Sequence, residues 1–80
     1  MIKKKKQIVI TTNGFVFIGN VDKRAKETII TEAYNIRRWG TTKGLGEIAL
    51  TGPTSSTILD DYGIVVIPTH AIIYVIQCQV

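Results

Sequence analysis

Apolar positions in this chain come mostly in short alternating or continuous runs of β-branched residues, and only once at helical spacing. Residues 7–21, QIVITTNGFVFIGNV, hold two such runs around Asn13-Gly14. Asn and Gly tolerate the positive φ that two-residue hairpin turns require, so the segment predicts a β-hairpin. DKRAKE (22–27) predicts a charged turn, and TIITEAYNIRRW (28–39), rich in β-branched and aromatic residues, a longer strand. Then the period changes. Leu45, Ile48 and Ala49 fall at i, i+3 and i+4, predicting a helix of about two turns over 43–51. Gly52 can take a left-handed cap, and Pro53 stops continuation. STILD (56–60) predicts a strand, DYG a turn, IVVIP (64–68) a strand, THA a tight corner and IIYVIQCQV (72–80) the last strand. The expected fold is therefore mainly β (α+β), a small bent sheet or barrel of about six strands with one short inserted helix.

The faces of those strands raise a packing problem. Ile72, Tyr74, Ile76 and Cys78 share one face of the last strand, and Ile73 and Val75 the other. In the hairpin, Phe15 and Phe17 oppose Val16 and Ile18. A small barrel has one interior, so two apolar faces call for a second cover. Either the helix and loops supply it within the chain, or another copy does. With 80 residues the chain makes one domain and buries a modest fraction of its surface. One cysteine, Cys78, excludes an internal disulfide, and with the single His70 it cannot close a structural zinc site. Oligomerisation is the reinforcement left, and a homo-oligomer is the expectation.

Charge is unevenly placed. The net charge is +4, and without the four lysines Lys3–Lys6 the remainder is neutral on balance. Residues 1–6 read as a solvated basic tail ahead of a single domain over 7–80, and the body lacks the pervasive positive charge of a dedicated duplex-DNA binder. The charged-then-apolar beginning imitates a secretion signal. Polar residues from Gln7 to Gly14 interrupt it, however, and no small-residue cleavage site follows. No apolar stretch approaches the roughly 20 residues that span a membrane as a helix. The expectation is a cytoplasmic protein with no membrane partner.

Candidate chemistry concentrates in NIRRWGTTKGLGEIALTGPT (35–54). On a strand, Asn35, Arg37 and Trp39 would form a row beside the small Ala33, with Arg38 on the opposite face. A guanidinium can hold two phosphate oxygens at once, and an indole offers a stacking face. Gly40, Thr41, Thr42, Lys43, Gly44 and Gly46 then lead into the helix start, where free N–H groups and the dipole favour an anion. Thr54 lies in a second hydroxyl-rich loop. These residues predict a site for a phosphate-bearing nucleotide, closed by a neighbouring subunit. The competing structural reading pairs Arg37 and Arg38 with Glu32, Glu47, Asp60 or Asp61 and uses Trp39 as a plug.

Gly44 to Ala49 also fits the G-x-G-x-x-G/A dinucleotide pattern. The chain is too short for a doubly wound sheet, and no acidic residue follows at the needed distance, so the match is a decoy. Catalysis has little to work with. His70 lies in a tight turn, Asp60 and Asp61 would point to opposite faces, and Cys78 suits a buried apolar position. No enzyme activity, cofactor or metal is expected.

Two resemblances add to this. The Pro68–Ala71 corner before the last strand, and NGFVFIGNVD (13–22), which is similar to a first Sm motif, resemble SH3-like and Sm-like barrels. Separately, Arg37-Arg38-Trp39-Gly40-Thr41-Thr42, the Gly44-Leu45-Gly46 turn and Gly52-Pro53-Thr54 resemble a family of small bacteriophage proteins over roughly residues 8–80. The resemblance implies phage origin and attaches no function. By analogy, a phage protein with this site would suit sequestration of a host nucleotide signal as an anti-defence sponge. Two alternatives stand beside it: a single-stranded RNA or DNA binder using the lysine tail, and a structural or host-protein-binding module.

Overall fold

The computed structural model describes residues 6–42 and 44–79. Its elements are β1 (Gln7–Thr11), β2 (Val16–Lys23), β3 (Glu27–Arg38), α1 (Leu45–Thr51), β4 (Ile58–Pro68) and β5 (Ile72–Gln77), with a single 3-10 turn, Thr69–Ala71, between the last two strands. All pairings are antiparallel in one sheet of order β4-β3-β2-β1-β5. β4 and β5 are its two edges, and no ladder joins them among the described residues. The sheet is open.

The β1–β2 hairpin forms where Asn13-Gly14 predicts it, but through a three-residue loop. Thr11 N–H donates to the Phe15 carbonyl at 3.0 Å, and Gly14 alone takes positive φ, 88°. That is the pattern of a turn closed by a left-handed residue. Asn13 contributes its side chain instead of an unusual backbone: its Oδ1 accepts from the Thr11 hydroxyl and from Phe15 N–H.

Among the described residues there are five strands where the sequence suggested six. The segments 56–60 and 64–68 are one strand, because Asp61-Tyr62-Gly63 forms a bulge inside β4 and not a turn between two strands. Gly63 sits at φ 69°, Asp61 Oδ1 accepts Gly63 N–H at 2.9 Å, and the β3–β4 register shifts between Ala33 and Tyr34. A glycine in the left-handed region kinks a strand without ending its ladder. β3 bends at the same level, where Glu32 takes φ 49°. The two bent strands remain paired from Glu27–Pro68 to Arg38–Ile58.

Buried residues fill both sides of the sheet, successive ones in β1 and β2 going to opposite sides. On one side Ile8, Val16, Ile18, Ile36 and Cys78 pack with Leu45, Ile48 and Ala49 of α1. The helix starts at Leu45, slightly later than the spacing suggested, and its apolar stripe is the predicted one. Gly52 closes it at φ 92°, its N–H donating to the Ile48 carbonyl at 2.8 Å. On the other side Val9, Phe17, Val21, Ile30 and Ala33 are covered by Ile67, Val65, Ala71 and Ile72, brought over by the bend and the corner. The corner is fastened by Thr69, whose hydroxyl donates to the Arg24 carbonyl and meets that of fully buried Thr28 at 2.8 Å. No helix among the described residues is long and apolar enough to cross a membrane.

Candidate functional site

β3 carries Asn35 and Arg37 to the edge of the hairpin turn. Asn35 Nδ2 donates to the Val16 carbonyl at 3.1 Å, which ties β3 to the start of β2. Arg37 Nε donates to Asp60 Oδ2 at 2.8 Å, with a longer 3.4 Å contact from the guanidinium NH2 group to Asp60 Oδ1. The Arg37 side chain stays 63% exposed, so the pair orients the group more than it stabilises the fold. Arg38 is exposed, and among the described residues no ion pair engages it.

Trp39 does not join that row. β3 ends at Arg38, and the register shifts between Ile36 and Arg38, so strict alternation fails before Trp39 is reached. Its indole is half-exposed and lies over Gly44, where a Cβ would come 3.7 Å from the ring. Its carbonyl accepts from the Thr57 hydroxyl at 2.6 Å.

The glycine- and threonine-rich loops mainly hold each other. A Cβ on Gly40 would lie 2.3 Å from the Ser56 carbonyl carbon, and Gly40 has φ 63°. Only glycine allows the two backbones so close. Thr54 Oγ1 donates to the Gly40 carbonyl at 2.7 Å, and Thr54 N–H donates to Thr57 Oγ1 at 2.9 Å. Thr41 Oγ1 donates to the Gly44 carbonyl and Thr42 Oγ1 to Glu47 Oε1. Glu47 places a carboxylate in the first turn of α1, already complementing the positive end of its dipole. Gly46 faces open space. Lys43 lies outside the described residues, as do Lys3 to Lys5. Lys6 continues the β1–β5 ladder, its carbonyl accepting Cys78 N–H, and its ammonium lies 5.8 Å from the Tyr34 ring centroid.

The structure brings together a group that sequence reasoning did not assemble. A groove of about 350 Å³ runs between the hairpin turn and β4, lined by Phe15, Asn35, Arg37, Asp60 and Tyr62 among others. Phe15 and Tyr62 are 44% and 47% exposed, and buried Phe17 lies between them, with ring centroids at 6.0 and 5.6 Å. Two exposed aromatic rings thus line the same groove as an oriented guanidinium. Phe15 and Asp60 were legible only as a strand residue and a possible ion-pair partner, and Tyr62 as part of a turn. Their meeting depends on the long β3–β4 register.

Elsewhere, chemistry is sparse. His70 is exposed on the 3-10 turn. Asp60 and Asp61 diverge, one to Arg37 and the other to Gly63 N–H. Cys78 is buried, and burial pushes its thiol above the usual range while the Lys6 charge partly opposes the shift. Among the described residues no group of three His, Cys, Asp or Glu side chains could hold a metal ion. A second opening, of about 550 Å³, leads between α1 and the sheet to Cys78, with Lys6 and Tyr34 at its side. No protein-family model and no curated protein matches the chain.

Proposed function

We propose that this chain is a non-enzymatic, homo-oligomeric binding protein of phage type that sequesters a phosphate-bearing nucleotide in the cytoplasm of the host cell. The observation that carries the reading is the Arg37 guanidinium, aimed by Asp60 and open to solvent in a groove that two exposed aromatic rings also line. Asp60 engages one edge of the guanidinium, and the rest of its five N–H donors remain for phosphate oxygens. Phe15 and Tyr62 offer flat faces to a base, and they supply walls that the sequence reading sought from a neighbouring subunit. Asn35 lines the same groove, and Arg38, Trp39, Gly40, Thr41, Thr42, Gly44, Gly46 and Thr54 are the further residues proposed to contribute. Strand order and the tight corner before β5 support an SH3-like or Sm-like barrel as the finer description of the bent sheet.

Calorimetry against mononucleotides, dinucleotides and cyclic nucleotides tests this reading. A fixed stoichiometry is expected, with Arg37→Ala losing roughly 1.5–3 kcal/mol, about tenfold or more in affinity. Phe15→Ala and Tyr62→Ala should each lose ~1–3 kcal/mol of stacking. No binding across the panel sinks it.

The run of exposed aromatics and arginines also favours a second reading, a single-stranded nucleic-acid binder. Affinity that climbs with oligonucleotide length and falls steeply with salt would select that reading.

A further inference from the structure

The ladder fixes which backbone groups of β5 are free. Cys78 N–H donates to the Lys6 carbonyl, and the register pairs Gln7 with Gln77 and Val9 with Val75. In an antiparallel ladder, directly opposed residues alternate between bonded and non-bonded pairs. Lys6–Cys78, Ile8–Ile76 and Ile10–Tyr74 are therefore the bonded pairs. Val75 and Gln77 turn their N–H and C=O groups away from β1, toward the outer edge, while Ile73 is the extra residue of a bulge where the register passes from Ile10–Tyr74 to Thr11–Ile72. The next group of that parity, Gln79 N–H, is taken by the Ala49 carbonyl at 2.6 Å. α1 thus closes the end of the edge and, among the described residues, leaves 75–77 open.

The opposite edge is defended. On β4, Thr69 N–H donates to the Lys26 carbonyl, so by the same alternation Ile64 and Val66 face outward. That open stretch ends at Pro68, which has no N–H, and at the Gly63 bulge. Bulges and prolines are ordinary means of blocking strand addition. β5 has a bulge at Ile73, near its start, but neither a proline nor a charged residue. Its middle residues are exposed on both faces, Tyr74 at 66%, Ile73 at 51% and Val75 at 39%.

We propose that β5 is the self-association edge: β5 strands of two copies pair antiparallel about a two-fold axis at Val75. The edge is self-complementary in this register. Val75 meets Val75, and the outward N–H and C=O groups of the two Val75 residues find partners. Tyr74 then lies beside Ile76 of the second copy on one face, while the two Val75 side chains meet on the other. No charge lies on the strand to oppose the approach. A second copy is the occupant because the same edge supplies both halves of the ladder, giving a closed, isologous contact. The inference specifies the homo-oligomer of the proposed function. It places the contact across the sheet from the Arg37 groove, which lies at the β3–β4 side.

Sedimentation equilibrium of the full chain, from micromolar to millimolar concentrations, tests the assignment. The wild type is expected to reach twice the 8.9 kDa chain mass. Val75→Pro removes one outward N–H and leaves the β1 ladder intact, and should give a monomer with the wild-type far-UV spectrum. Val75→Lys decides the matter if the proline variant misfolds, since a lysine there should also give a folded monomer. Ile64→Lys, on the β4 edge, should remain a dimer. A wild type that stays monomeric throughout overturns the proposal. So does a Val75→Lys variant of wild-type mass, or an Ile64→Lys variant that dissociates, which would indicate head-to-tail pairing of β4 with β5. Nucleotide titration of Val75→Lys separates the two readings. Unchanged binding per chain is expected, and absence of binding in wild type and variant alike refutes the groove while leaving the edge assignment standing.

Discussion

The β1–β2 hairpin and β5 carry the same two-faced apolar pattern and meet different fates. In the hairpin, Ile8, Val16 and Ile18 are buried beneath α1, and Val9 and Phe17 are buried beneath the returning β4 and the corner. In β5, Ile73, Tyr74 and Val75 are exposed while Ile72 and Ile76 are partly buried. β1 and β2 have strands on either side and cover above and below. β5 has a neighbour on one side only, and α1 reaches just its end. A two-faced pattern thus occurs both in a central strand and in an exposed edge, and composition does not distinguish them.

The sharpest way to break this comparison is to truncate one isoleucine in each region. In the Val75→Lys background, which removes any contribution from self-association, Ile8→Ala should cost about 2–5 kcal/mol, because Ile8 is fully buried and leaves a cavity. Ile73→Ala in the same background should stay within about 0.5 kcal/mol of its parent. Urea unfolding of the two variants checks both, and similar losses would mean that β5 is covered within the chain.

A somewhat smaller effect is expected in the loop clasp. Gly40→Ala sets a methyl against the Ser56 backbone at a left-handed φ and should lose more than about 1 kcal/mol, read from the same unfolding curves. Wild-type stability in Gly40→Ala would show that the loops separate freely. Thr54→Val removes the hydroxyl that donates to the Gly40 carbonyl and should lose about 0.5–1.5 kcal/mol.

The last expectation concerns rate more than stability. Burial raises the Cys78 thiol pKa, so native alkylation should be slow at neutral pH and should accelerate only above the pH at which an exposed thiol ionises. Stopped-flow alkylation as a function of pH, native against urea-unfolded, reads the difference. An equal profile in both states would place Cys78 at the surface.

Much of the fold was legible because its signals are local. Asn13-Gly14 marks the hairpin, Leu45, Ile48 and Ala49 mark the buried stripe of α1, and Gly52-Pro53 marks its end. Asp61-Tyr62-Gly63 misled because a turn and a bulge use the same residue types. Only the pairing of β4 with the whole length of β3 distinguishes them. The candidate site was legible in its arginines and much less in its geometry. Arg37 and Trp39 share parity on paper and part in space, since β3 ends at Arg38. Several of the threonine hydroxyls that suggested a ligand are donated to neighbouring carbonyls.

By itself the sequence determined the first hairpin, the long third strand, the helix stripe and its end, because hydrophobic period and turn chemistry act over a few residues. It also set the charge placement and denied the chain a disulfide. Tertiary structure decided the rest: that one kinked strand replaces two, that Phe15 and Tyr62 line one groove with Arg37, and that β4 and β5 become the two edges of the sheet. Each of these depends on register between segments distant in sequence, and a one-residue change in register turns every side chain to the other face.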